Sequence, residues 1–202
     1  MKFKKLVILS ILGVSLFAGC SDKEKIDEKA IANTQEPVVQ TPAKTHQIPS
    51  FNLKTSTGKN IEVVADLQNG WKFKGLEGKV ILLDFFGTWC PPCKAEIPHL
   101  NSIREELKKD FEIIGIDVGQ RDGSTTENGY LNQFIKDFNI KYPVTTGVAN
   151  GSLFRAVSSL NPSGSIPFMI LFNKKGEFVQ YYIGMKPEEM LKQDIKTAIE
   201  MK

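Results

Sequence analysis

The sequence predicts an α/β fold in which a central mixed β-sheet carries helices on both faces, and three features predict it. The run Val80-Ile81-Leu82-Leu83-Asp84-Phe85-Phe86 is almost continuously apolar and is bounded by Gly78 and Gly87. That is the pattern of a strand covered on both sides. Beyond it, Ile97, Leu100, Ile103 and Leu107 recur at helical spacing among charged residues, giving a helix with one apolar stripe. Near the C-terminus, apolar runs at 168–172 and 178–183 flank Asn173-Lys174-Lys175-Gly176, a hairpin with glycine at its turn. Strand-helix units followed by a hairpin build a mixed sheet.

The remaining elements follow in order. Phe51-Asn52-Leu53-Lys54 alternates apolar and polar residues, a turn-rich stretch follows, and Ile61-Glu62-Val63-Val64 completes an N-terminal hairpin. Residues 66–78, broken by Gly70, Gly75 and Gly78, read as irregular chain or a further edge strand. Residues 111–117 form a second buried strand and 119–126 a polar loop. Leu131, Phe134, Ile135 and Phe138 mark an amphipathic helix, residues 142–145 a short strand, and 153–160 a weaker helical pattern. Residues 187–199 form a closing helix with Pro187 in its first turn.

A chain of 202 residues holds one domain plus appendages. Hydrophobic residues make up 41%, with 13 Phe, which excludes a disordered chain. The formal charge of +3 comes from 26 basic against 23 acidic residues. Lys2, Lys4 and Lys5 lie in a segment read below as removable, and without them 23 face 23. A balanced chain gives no electrostatic footprint for nucleic acid.

Met1 to Lys5 is cationic and residues 6–17 are apolar, broken only by small or weakly polar residues. This is the layout of a secretory signal, and it is too short for a comfortable membrane span of about 20 residues. Phe17-Ala18-Gly19-Cys20 resembles a bacterial lipobox, with Phe17 where Leu is usual. Cys20 then becomes a lipidated N-terminus and holds the protein to a membrane. The alternative is an ordinary cleaved signal with an incidental cysteine. Residues 21–49 are polar, carry Pro37, Pro42 and Pro49, and hold no aromatic residue, so they read as a flexible spacer with His46 solvated in it. The layout is signal 1–19, anchored linker 20–47 and folded domain 48–202, on the outer side of a bacterial membrane.

Cys20 accounts for the odd cysteine of three, leaving Cys90 and Cys93 as a pair. A Cys-x-x-Cys pair can be half a zinc knuckle, but four ligands are needed and only His46, His99 and carboxylates remain to complete them. A static disulfide would close too short a loop to stabilise much. The pair falls between a strand and a helix, where the helix N-terminus offers partial positive charge and unpaired N–H groups to a thiolate. Such sites depress a cysteine pKa from about 8.5 to between roughly 3.5 and 7.5. Pro91 and Pro92 suit the first helical turn, and they also remove N–H donors from the sulfur.

The stretch Asp84-Phe85-Phe86-Gly87-Thr88-Trp89-Cys90-Pro91-Pro92-Cys93-Lys94-Ala95-Glu96-Ile97-Pro98 resembles the active-site region of thioredoxin-fold reductases of the TlpA/ResA type. The resemblance covers residues 48–200, including the N-terminal hairpin and a central insertion before the last hairpin. It implies a thioredoxin fold and a redox disulfide between Cys90 and Cys93, with no metal and no organic cofactor. Pro98 matches the proline that kinks the active-site helix. Ile166-Pro167 matches the cis-proline loop that faces the disulfide and pairs with substrate backbone. Trp89 and Pro92 beside the sulfurs join that substrate-binding set, Trp89 as a flat apolar face or as a cover for the core. Asp84 matches the buried acid of thioredoxin, placed to take the proton of Cys93. Glu96 matches an acid near the active site of ResA-like reductases, or is a solvated helix residue. His99 reads as a surface residue.

The implied activity is reduction of protein disulfides outside the cytoplasm by a monomer. Partners implied by the resemblance are a disulfide-bearing substrate such as apocytochrome c and a membrane thiol donor. The same pair could run as an oxidase or isomerase, because thioredoxin-like potentials span roughly −270 to −120 mV. A thiol peroxidase would need Thr three residues before the reactive cysteine, where Gly87 stands. A client-binding module without turnover is the remaining alternative.

Overall fold

The computed structural model describes residues 48–201, so the signal, Cys20, the spacer up to residue 47 and His46 lie outside the described residues. Eight strands form one sheet in the order β3-β2-β1-β6-β5-β4-β7-β8. They are β1 Ser50–Thr55, β2 Asn60–Val64, β3 Lys72–Phe73, β4 Val80–Phe86, β5 Phe111–Asp117, β6 Val144–Thr146, β7 Phe168–Phe172 and β8 Phe178–Ile183. The helices are α1 Pro91–Leu107, α2 Asn128–Asp137, α3 Val148–Ala156 and α4 Glu188–Glu200.

β4 lies near the middle, parallel to β5 and antiparallel to β7. Every residue of β4 and β5 is buried, which explains their unbroken apolar runs: a strand with layers on both faces has no wet side. Because side chains alternate, β4 divides the core into two layers. Val80, Leu82 and Phe86 pack with Ile97, Leu100 and Ile103 of α1, with Leu131 and Phe134 of α2 and with Leu191 and Ile195 of α4. Ile81, Leu83 and Phe85 pack on the other face with Leu153 of α3 and with Leu53, Ile61, Val63 and Phe73 of the N-terminal strands. Asp84 shares the parity of Leu82 and Phe86, the α1 side.

Several boundaries differ from the sequence expectation, each for a local reason. Residues 66–78 include a two-residue strand, β3, on the outer edge of β2. The N-terminal hairpin is part of the main sheet, since β1 also pairs with β6 through Lys54 opposite Thr146 and Thr55 opposite Thr145. α3 begins at Val148, before the apolar stripe, because Gly147 at φ 105° makes the turn into it. It ends at Ala156, and a 3₁₀ turn spans Ser158–Leu160. Pro187 is the N-cap of α4 and not a first-turn residue; Glu188 and Glu189 fill that turn, where the helix dipole favours them. Among the described residues no helix is long and apolar enough to cross a membrane.

One glycine ties the N-terminal strands to the last hairpin. Gly176 sits at φ 79°, and its carbonyl accepts the Trp71 N–H at 2.7 Å. A Cβ at Gly176 would lie 1.8 Å from the Trp71 carbonyl oxygen. Gly176→Ala therefore meets both left-handed strain and backbone overlap, and urea unfolding should show a loss of about 2–3 kcal/mol. Wild-type stability in Gly176→Ala would mean that this junction carries no load.

Candidate active site

β4 ends at Phe86, and three residues, Gly87, Thr88 and Trp89, lead to Cys90, the N-cap of α1. Cys90 is extended at φ −93° and ψ 108°, as an N-cap residue must be. Its sulfur accepts the backbone N–H of Cys93 at 3.3 Å. Pro91 and Pro92 occupy the first two helical positions, so Cys93 supplies the first N–H the helix can aim at that sulfur. Cys90 and Cys93 are joined in a disulfide with Cα atoms 5.3 Å apart. Both are buried, at 2% and 1% exposure. Among the described residues no group of three or more His, Cys, Asp or Glu is placed to hold a metal.

Two loops frame the disulfide. On one side the Ile166-Pro167 bond is cis, and the Ile166 carbonyl oxygen lies 3.8 Å from Cys90 Sγ. Asn161 braces this loop: its amide donates to the Ser165 carbonyl at 2.8 Å, and its Oδ1 accepts the Ser165 N–H at 3.2 Å. The Gly184 N–H donates to the Pro167 carbonyl, fixing the loop to the end of β8. On the other side Trp89 Nε1 donates to the Gly119 carbonyl at 2.9 Å. Trp89 is half-buried and packs against the core. Gly87 makes room for it: a Cβ there would lie 2.9 Å from Trp89 Cε2 and 3.1 Å from Ile166 Cδ1.

Asp84 and Glu96 are buried, at 2% and 3% exposure. Glu96 is not solvated, which removes that alternative. One helical turn beyond Cys93, it shares that residue's inward face. Neither of its oxygens has a hydrogen-bond partner among the described residues, nor has Asp84 Oδ1. Asp84 Oδ2 accepts the Tyr142 hydroxyl at 3.4 Å. Burial raises Asp84 to about 7, against the lowering by Tyr142. Burial, reinforced by the charge of Asp84, raises Glu96 to about 9. The two titrate as a pair. The Tyr142 hydroxyl favours the anion of Asp84, and no such donor meets Glu96 among the described residues.

The structure brings Cys90, Cys93, Trp89, Ile166 and Pro167 together and puts the two acids on the α1 side of the sheet. Pro92 is exposed, Pro98 lies inside α1, and His99 is exposed with Nδ1 2.7 Å from a Glu188 oxygen. Sequence reasoning missed Tyr142, which reads as the start of a short strand, and the latch of residues 118–126 on Trp89. No local pattern in the sequence marks either, because both are contacts between distant segments.

Comparison with known proteins agrees with this geometry. The sequence matches the Redoxin family over residues 43–199. The chain belongs to the Redoxin family. Within it, a thiol-disulfide oxidoreductase ResA of Bacillus cereus is 30% identical over 188 residues, covering 92% of this chain and 87% of the relative. A thiol:disulfide interchange protein of the thioredoxin family from Chlorobium tepidum TLS superposes with a TM-score of 0.59 at 25% identity, over 75% of this chain and 94% of the other. The exposed lipoprotein thioredoxin of Streptococcus pneumoniae shares the fold at a TM-score of 0.56 and 23% identity, over 74% and 99%. This Redoxin-family chain therefore has the thioredoxin fold and is an oxidoreductase similar to the ResA thiol-disulfide oxidoreductases.

The buried acids make stability fall as pH rises. Each holds its proton in the folded state above the pH at which the unfolded chain releases it, so the native state binds more protons and the slope is negative. The oxidised protein should lose stability from about pH 4 towards pH 9. The double variant Asp84→Asn, Glu96→Gln should flatten this slope and gain on the order of a few kcal/mol at pH 8. Denaturant titrations at several pH values check it, and parallel slopes for the two proteins would rule the acids out as its source.

Proposed function

We propose that the protein is a lipid-anchored protein-disulfide reductase working outside the cytoplasm. The observation that carries this reading is the Cys90–Cys93 disulfide at the N-terminus of α1, facing the Ile166-Pro167 carbonyl, with two proton-holding carboxyls on the same side of the sheet. In the reduced protein the Cys90 thiolate attacks a substrate disulfide; one S–S bond breaks, a mixed disulfide forms and a substrate thiolate leaves. Cys93 passes its proton to the Asp84 carboxylate and attacks Cys90 Sγ, which restores the Cys90–Cys93 bond and expels the second substrate sulfur as a thiolate, protonated from Asp84 or solvent as it leaves. Two electrons pass to the substrate. Glu96 stays protonated and keeps a second negative charge away from the thiolates. Trp89, Pro92, Ile166 and Pro167 form the face on which the substrate strand lies.

The first turn supports the reducing direction. A pair becomes an oxidant when its reduced form is strongly stabilised. Here two prolines leave one N–H donor, that of Cys93, on the Cys90 sulfur. The substrates in this reading are disulfide-bearing proteins, apocytochrome c among them, and a membrane thiol donor recharges the pair. In this reading residues 1–19 are a cleaved signal, Cys20 carries the lipid, residues 20–47 are the spacer, and domain 48–202 works at the membrane as a monomer. Kinship with ResA and the lipoprotein named among the solved relatives support that placement.

Insulin reduction tests the activity: Cys90→Ser should abolish it, and Cys93→Ser should accumulate a mixed disulfide. Asp84→Asn should slow resolution of that intermediate at least about tenfold. The reduction potential decides direction; a value near roughly −270 mV fits a reductant, and one near −120 mV an oxidant. Cell fractionation tests the anchor, since Cys20→Ser should shift the protein from membrane to soluble fraction. Retention in the membrane fraction would exclude lipid at Cys20.

A further inference from the structure

The loop that latches Trp89 carries a cation directly over it. The Arg121 guanidinium carbon lies 4.5 Å from the centre of the Trp89 ring. Stacking occupies only the face of the guanidinium, so its edge, with the N–H fork that fits a carboxylate, stays open. Arg121 is exposed and makes no ion pair among the described residues. Its neighbour Asp122 is turned into its own bend, where it accepts the N–H and hydroxyl of Ser124 at 2.9 and 2.6 Å.

The loop that carries Arg121 is itself tied down. Val118 N–H donates to the Phe86 carbonyl at the end of β4, and Gly119 accepts the indole N–H. Gln120 Nε2 reaches Thr126 Oγ1 at 2.9 Å and Thr88 Oγ1 at 3.4 Å, tying the bend to the residue before Trp89. A Gln120–Gly123 turn completes it, with Gly123 N–H on the Gln120 carbonyl. Two further cations lie on aromatic rings without ion pairs among the described residues. Lys94, next to Cys93, lies 5.6 Å from the Phe138 ring centre, and Lys186, just past β8, lies 5.2 Å from that of Tyr182.

We propose that Arg121 is a specificity residue that selects disulfides flanked by an acidic side chain, its fork receiving the substrate carboxylate beside Trp89. The inference rests on the reading of Cys90 as nucleophile toward protein disulfides. The carboxylate binds outside the reacting atoms, so the exchange itself is unchanged: Cys90 takes one peptide sulfur, the other leaves as thiolate, and Cys93 closes the enzyme disulfide.

The test uses the reduced full-length chain and three disulfide peptides that differ only in a flanking Glu, Gln or Lys, with Trp fluorescence reporting oxidation. The wild-type rate constant should be about three- to fivefold higher for the Glu peptide than for the Lys peptide at low salt, and the ratio should fall towards one in about 0.5 M salt. Arg121→Gln should collapse the ratio and Arg121→Glu should invert it, with unchanged circular dichroism in both. Equal wild-type rates, or a Glu preference that survives in Arg121→Glu, would overturn the assignment. Reaction with none of the three peptides would instead overturn the disulfide-reductase reading, and the inference with it.

Discussion

The placement of β4 is the constraint on which the active site depends. Hydrogen-bonded to β5 along one edge and β7 along the other, and covered on both faces, it has no freedom to shift by a residue. A one-residue slip would turn its whole inward set to the opposite layer, taking Asp84 from the α1 side and putting Leu83 in its place. The same register fixes where the strand ends, and so where α1 begins. Cys90 is an N-cap because Gly87, Thr88 and Trp89 are the whole length of chain between the two elements.

The flanking loops reach that fixed point from separate parts of the chain. The Ile166-Pro167 loop arrives just ahead of β7 and is held by Asn161 and by the end of β8. The loop after β5 arrives from the other side and is held through Phe86, Thr88 and Trp89. Both are thus referenced to strands that pair directly with β4. Loops carry the recognition surface while the sheet supplies its rigidity.

The sequence revealed most where burial imposes a pattern. β4 and β5 were legible because strands covered on both faces are continuously apolar, and α1 because its stripe recurs every three or four residues. Asp84 stood out against its own run, an acid where every neighbour is apolar. Glu96 did not, since a glutamate in a charged helix looks the same whether it points to water or inward. Its burial follows from the rotation of α1 set by Cys93, which the stripe of Ile97 and Leu100 only implies. Tyr142, Gly119 and Arg121 act across 58, 30 and 32 residues of sequence on Asp84 and Trp89. No window short enough to show periodicity contains such a pair. Pro187 was placed one position too far into α4 for a lesser reason: proline suits a helix start generally, and the cap and first-turn positions differ by a single residue.

Burying two carboxyls beside a redox disulfide costs stability, and thiol chemistry explains why the cost is tolerable. An exposed aspartate, with a pKa near 3.9, is a poor base for a thiol near 8.5, because the proton transfer runs uphill by more than about four units. Burial lifts Asp84 to about 7, nearer the range in which a carboxylate can take a proton from a thiol. In the proposed cycle the Asp84 carboxylate is the base that receives the Cys93 proton. Glu96 is lifted further, to about 9, by burial and by the charge of Asp84. Two differences separate them: Tyr142 donates to Asp84 while nothing among the described residues donates to Glu96, and the charge of Asp84 pushes Glu96 further up. A pair of acids with identical burial would share the first ionisation, and neither would be reliably charged when Cys93 needs a base. The Tyr142 hydroxyl breaks that symmetry from β6's approach, far from either cysteine in sequence, and so favours the anion on the strand whose end also sets the position of Cys90.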